Sequence, residues 1–218
     1  MAKNNNPKDL LFNLFAIALG LIFAGLALAY YIDNLEQPKT KPPSLNDNEI
    51  LLTKIISGQK LEIPATWFKY SEERQTEFVD YTELLFVLPL IADKPSMIIQ
   101  VTLALKRLNI PSAQLLDDVY LHQFLPKEIN SPRGLIGKPL KTMVGNIEEN
   151  VFYDPLSANP FVAKCMDKIV PQSSKMCVRT VQISPQLSAI YSFEYEALLG
   201  WRNFDIEAQK WLDKIDGL

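Results

Sequence analysis

MIIQVTLAL, residues 97–105, alternates along its length. Ile99, Val101, Leu103 and Leu105 fall on one face, and Gln100, Thr102 and Ala104 on the other. Successive side chains of an extended chain point to opposite sides, so this is the pattern of a half-buried strand. Just before it, residues 84–88 form a continuous apolar run, expected as a buried strand. The connection 89–95 is short and rich in turn residues, so the two runs are expected to pair as a hairpin.

Working toward the C-terminus, residues 112–124 read as a helix entered at Pro111-Ser112 and stopped by Pro126. Residues 126–139 carry Pro and Gly and read as loop. Residues 140–144 and 147–153 flank Gly145-Asn146, a two-residue hairpin signal. Residues 161–165 and 177–183 read as strands. Residues 187–195 alternate, with Leu187, Ala189, Tyr191, Phe193 and Tyr195 on one face, after a Ser184-Pro185-Gln186 turn. A last helix follows. Asn203 is its expected N-cap, Phe204, Ala208, Trp211, Leu212 and Ile215 form an apolar stripe, and Gly217 is its expected stop.

On the N-terminal side, residues 49–56 fit either a helix or a strand. Gly58 marks a turn and residues 61–63 a short strand. Residues 66–70 are aromatic and β-prone; Trp67, Phe68 and Tyr70 there suit a core more than a docking surface. The expected fold class is α+β: a mostly antiparallel β domain with a C-terminal amphipathic helix, preceded by one membrane helix.

That membrane helix is LLFNLFAIALGLIFAGLALAYY, residues 10–31. It has no charge, and twelve of its residues are Leu, Ile or Phe. At about 1.5 Å per residue it is roughly 33 Å long, enough for a hydrocarbon core of about 30 Å. Lys3 and Lys8 precede it; Asp33 and Glu36 follow. The positive-inside rule then puts residues 1–9 in the cytoplasm and the rest outside. A signal peptide cleaved after Ala29 competes, because Ala27-Leu28-Ala29 fits the small-x-small rule. The apolar run is longer than signal peptides use, however, and no polar region precedes that site. Ala16, Gly20 and Ala24, at four-residue spacing, put small residues on one helix face, as in helix–helix contacts within membranes. Residues 32–48, with Pro38, Pro42 and Pro43, read as an extended linker. Residues 49–218 form one domain of ordinary size.

The domain has 18 basic and 21 acidic side chains, which speaks against nucleic acid as a partner. Its two cysteines, Cys165 and Cys177, are expected to bridge in an oxidising compartment. No chemistry-bearing motif stands out. His122 is the sole histidine and cannot supply a multi-histidine metal site. Ser57-Gly58-Gln59-Lys60 has the Ser-x-x-Lys spacing of some acyl-transfer enzymes, but Gly58 disfavours the helix that this motif needs. Gly134-Leu135-Ile136-Gly137-Lys138 lacks the phosphate-loop spacing. Glu148 and Glu149 point to opposite faces of a strand and, with Asp154, read as solvated charge. No catalytic residue, cofactor or metal is expected.

Asp154-Pro155, the run Asn159-Pro160-Phe161-Val162-Ala163-Lys164-Cys165, Cys177-Val178-Arg179-Thr180-Val181 and Leu198-Leu199-Gly200-Trp201-Arg202-Asn203-Phe204-Asp205 resemble a family of small single-pass, membrane-anchored periplasmic proteins of alphaproteobacteria. The resemblance implies an inner-membrane protein with a periplasmic domain and brings no catalytic residue. The function expected is non-enzymatic: a bitopic envelope protein whose domain binds or scaffolds another envelope component. The alternatives are an envelope hydrolase or transferase, and an accessory subunit acting through its transmembrane helix.

Overall fold

The structure is a computed structural model that describes residues 7–35, 42–45, 50–141, 148–166 and 174–218, with the side chains of 7–14, 30–35 and 72 left aside. It divides into two compact units, Met1–Pro42 and Pro43–Leu218.

In the first unit, helix α1 (Pro7–Leu35) runs four residues beyond the stretch read as apolar. Its described side chains, 15–29, are all exposed, including Phe15, Ile17, Leu21, Ile22 and Phe23. Among the described residues no helix is long and apolar enough to cross a membrane. Those described side chains cover about 22 Å of axis, whereas the 29-residue backbone covers roughly 43 Å.

The second unit begins at Pro43, inside the expected linker. Pro43 is buried, Leu45 packs on the core, and Trp67 Nε1 donates to the Ser44 carbonyl at 3.4 Å. Residues 36–41 and 46–49 of the linker lie outside the described residues. Strands β1 (Leu51–Ile56) and β2 (Gln59–Pro64) form a hairpin about Ser57-Gly58, both with positive φ, so 51–56 within the expected helix-or-strand segment is extended.

Seven further strands make one antiparallel sheet: β3 (Tyr81–Leu88), β4 (Met97–Leu105), β5 (Ile136–Pro139), β6 (Glu149–Tyr153), β7 (Val162–Met166), β8 (Met176–Gln182) and β9 (Leu187–Glu194). Their order is β3-β4-β9-β8-β7-β6-β5. The chain leaves β4, crosses to the far edge, and walks back strand by strand until β9 closes against β4. The residues of MIIQVTLAL therefore sit between the edge strand β3 and β9, where Ile99, Val101 and Leu103 are fully buried. The 84–88 run is not buried on both faces. Leu84, Phe86 and Leu88 point into the core, while Leu85 and Val87 are only partly covered, because a single layer packs over this end of the sheet.

That layer is the β1–β2 hairpin and helix α3 (Trp201–Leu212). The predicted stripe is buried: Phe204, Ala208, Trp211, Leu212 and Ile215. Trp211 stacks on Phe86 with centroids 5.0 Å apart and meets Trp67 at 4.7 Å, while Phe204 meets Phe193 at 4.8 Å. Trp67 and Phe68 are thus core, although residues 65–67 form a 3-10 turn rather than strand.

Both ends of α3 differ from expectation. The helix starts two residues before Asn203, out of the 3-10 turn Tyr195–Gly200. Packing sets that entry: a Cβ on Gly200 would lie 2.5 Å from the Leu90 carbonyl, and Asn203 Nδ2 donates to the same carbonyl at 3.4 Å. At the other end the helix stops at Leu212, before Gly217 is reached. Gly217, at φ +93°, lets the tail run against β2, where a Cβ would collide with the Lys60 carbonyl.

The opposite face carries a smaller cluster, Leu116, Tyr120, Leu140, Val151 and Val162, under helix α2 (Ser112–Asp118). The expected helix 112–124 breaks at Val119, and Tyr120–His122 form a 3-10 turn. The break lets the chain run back beside β5: Leu125 N–H donates to the Pro139 carbonyl and Lys141 N–H to the Gln123 carbonyl, both at 2.9 Å. Strand β5 itself falls in the expected loop 126–139, as an edge strand where Pro139 has no N–H to lose. It pairs with β6 from Ile136↔Tyr153 to Pro139↔Asn150, and Leu140 N–H continues the pairing on the Glu149 carbonyl at 2.9 Å; the rest of the expected hairpin, 142–147 with its Gly145-Asn146 turn, lies outside the described residues.

Cys165 and Cys177 face each other across β7 and β8, with Cα atoms 3.9 Å apart, and form the disulfide. Both are fully buried in the main core.

Candidate functional site

The β1–β2 turn stands at the end of the sheet where β3 begins and β4 ends. Three open clefts meet there, and Ser57 lines all of them. The first, about 560 Å³, lies among Leu105, Lys106, Arg107, Ile110 and Pro185. The second, about 650 Å³, lies among Ile55, Thr76, Phe78, Val79 and Asp80. The third, about 730 Å³, joins them: it shares Leu105 and Arg107 with the first and Asp80 and Tyr81 with the second, over a floor that includes Thr102, Ala104 and Ile190.

Each wall is pinned. The hairpin turn is tied to the β8–β9 turn by Ser184 Oγ donating to Gln59 Oε1 at 3.0 Å, and to the C-terminal tail by Gln59 Nε2 donating to the Gly217 carbonyl. The 3-10 turn Lys106–Leu108 is held by Lys106 N–H on the Gln186 carbonyl at 2.8 Å, and Asn109 Nδ2 closes it on the Leu105 carbonyl at 2.9 Å. The third wall, residues 77–80, lies beside β1: Ile55 N–H donates to the Glu77 carbonyl and Val79 N–H to the Ile55 carbonyl.

Behind that third wall is Lys54, 1 % exposed. Its ammonium donates to the carbonyls of Glu73 and Thr76 and lies 5.2 Å from the Phe68 ring centre. Burial lowers its pKa from 10.5, and the Glu73 and Glu77 carboxylates pull it partly back. Glu73 Oε2 in turn accepts from Thr82 Oγ1 at 3.0 Å and Glu83 N–H at 2.8 Å. The arrangement fixes the loop before β3 to the sheet.

The rim of the clefts is apolar and open: Leu108 is 75 % exposed, Phe78 71 %, Tyr81 56 % and Ile110 47 %. Among the described residues, Lys106, Arg107 and Asp80 take part in no ion pair of the structure.

The residues singled out from the sequence are dispersed. Ser57 and Lys60 lie on a β-hairpin, and the Lys60 ammonium is 2.8 Å from Glu62, whose hydrogen bond raises its pKa, the wrong direction for a base activating Ser57. His122 is exposed in its 3-10 turn. Gly134 lies beside the Arg202 guanidinium, and Lys138 pairs with Glu128 at 3.2 Å. Glu149 pairs with Lys164 at 2.8 Å, while Asp154 Oδ1 accepts from Leu156 N–H in a turn. Ala16, Gly20 and Ala24 are exposed on α1, and a Cβ on Gly20 would meet nothing within 4 Å. Among the described residues no group of three or more His, Cys, Asp or Glu side chains is placed to hold a metal ion.

The cleft rim was missed in the sequence. One signal for it existed: Lys106-Arg107-Leu108-Asn109-Ile110 follows a strand that has already ended, so its apolar residues have no core to enter. Lys54 carried a signal too, since it stands between Leu52 and Ile56 on the buried face of β1.

No known protein family, curated protein or solved structure matches the chain.

Proposed function

We propose that this chain is a bitopic inner-membrane protein whose periplasmic domain binds another envelope protein, without catalysis, in the clefts around Ser57. The uncharged stretch 10–31 within α1 is the membrane span, with the lysine-bearing residues before it cytoplasmic. The buried disulfide fits an oxidising compartment beyond the membrane.

The observation that carries the binding reading is the exposed ring of Leu108, Phe78, Tyr81 and Ile110 around open clefts. An enzyme of this size would be expected to show a deeper pocket with a nucleophile or base held by an orienting partner. Here the convergent polar groups are surface charges beside apolar side chains, a composition suited to a protein partner.

The test is amine-reactive crosslinking in intact cells, with the domain anchored and with the domain released as a soluble periplasmic form. This reading predicts one specific envelope partner, captured by the anchored form and diminished on release. Absence of a partner with both forms contradicts it.

A further inference from the structure

Building on that reading, we infer that the clefts form one polar-ended groove for an extended segment of the partner protein, which lays an acidic side chain at Lys106 and Arg107, apolar side chains across Leu105, Leu108 and Tyr81, and a basic side chain at Asp80.

The order of the clefts gives the groove its polarity. Lys106 and Arg107 line the first cleft, Arg107 and Asp80 flank the joining cleft, and Asp80 with Glu73 lines the second. Glu73 is engaged by Thr82 and Glu83, which leaves Asp80 as the acid facing an incoming group. The floor between the charged ends is largely apolar: Ala104, Leu105 and Ile190, with Leu108 and Tyr81 at its sides. Opposite charge at each end and apolar surface between them select an occupant of matching pattern, and charges placed this way fix its direction.

A segment in extended form suits this site better than a compact ligand. The clefts run one into the next and are open along their length, and extended recognition takes side chains in successive pockets. An anionic lipid surface would be attracted at Lys106 and Arg107 but repelled at Asp80, so the two ends together point to a protein segment.

The test uses the full chain in its membrane. A photoreactive benzoylphenylalanine replaces Leu108 in one variant and Phe78 in another, and the captured segment is sequenced by mass spectrometry. The inference predicts one partner segment with its acidic residue toward the Leu108 probe and its basic residue toward the Phe78 probe. It also predicts at least a tenfold drop in adduct for Arg107→Glu, recovered when the partner's acidic residue is changed to lysine. Near-UV circular dichroism checks that the variant folds. If amine-reactive crosslinking still captures a partner but these probes capture only lipid, only a second copy of this chain or nothing, or if Arg107→Glu leaves the adduct unchanged, the groove assignment is overturned while the binding reading stands. If neither method captures a partner, the binding reading itself has failed.

Discussion

Arg179 on β8 meets both carboxylate oxygens of Asp205 on α3, through Nε at 3.0 Å and Nη2 at 2.7 Å. Its third nitrogen, Nη1, donates to the Val162 carbonyl at 3.2 Å, and the guanidinium lies 4.5 Å from the Phe161 ring centre. One cation thus joins the last helix to two strands of the sheet on its buried face.

The two partners of this pair are not equivalent. Arg179 is buried, whereas the Asp205 side chain is 52 % exposed. Solvent screens part of the attraction, so Asp205→Ala is expected to cost about 1–2 kcal/mol, chiefly by leaving the guanidinium unpaired. Arg179→Met removes the charge and keeps the bulk, and is expected to cost less. Urea unfolding of the full chain, followed by tryptophan fluorescence, ranks the two.

Lys54→Met leaves the Glu73 and Thr76 carbonyls without their donor and is expected to cost about 1–3 kcal/mol. It should also loosen residues 73–80, seen as faster amide exchange there. The pH dependence has a definite sign. Lys54 binds its proton more weakly in the folded protein, so below 10.5 and down to the lowered folded pKa the unfolded chain holds more protons. The stability owed to Lys54 therefore rises as pH climbs through that window. The stability difference between wild type and Lys54→Met should widen on the same climb; a difference that narrows would contradict the assignment.

The Cys165–Cys177 bridge closes a loop of 12 residues and is expected to contribute about 3 kcal/mol, so replacing both cysteines with alanine should lower stability by that order. Because both residues are fully buried, reductant should act on the folded protein only as fast as it opens. Acid-quenched cells treated with a thiol-alkylating reagent should yield chain with neither cysteine labelled. Two labelled thiols would contradict an oxidising compartment.

The strands at 97–105 and 187–194 were legible because alternation is a local signal, and both stretches carry it without interruption. The stripe of α3 was legible for the same reason, at helical spacing. Its start was not, since Gly200 is required by the approach of Leu90, which lies 110 residues away in sequence. Strand β5 was hidden by Gly137 and Pro139, which read as loop until β6 pairs with them. The groove was least legible. The β3–β4 hairpin brings Asp80 and Arg107 together, but Ser57 joins them only because residues 77–80 lie beside β1, and Pro185 only because β9 returns to pair with β4, and no local pattern announces either contact.

The central claim is a binding domain tethered on the far side of a membrane. The most direct test is protease accessibility of the full chain, carrying a C-terminal epitope, in spheroplasts of a Gram-negative host. The account predicts that the chain sediments with membranes, resists carbonate extraction, and loses its epitope to externally added protease while a cytoplasmic marker stays intact. Recovery of the chain as a soluble protein, or an epitope protected until the spheroplasts are lysed, would contradict it.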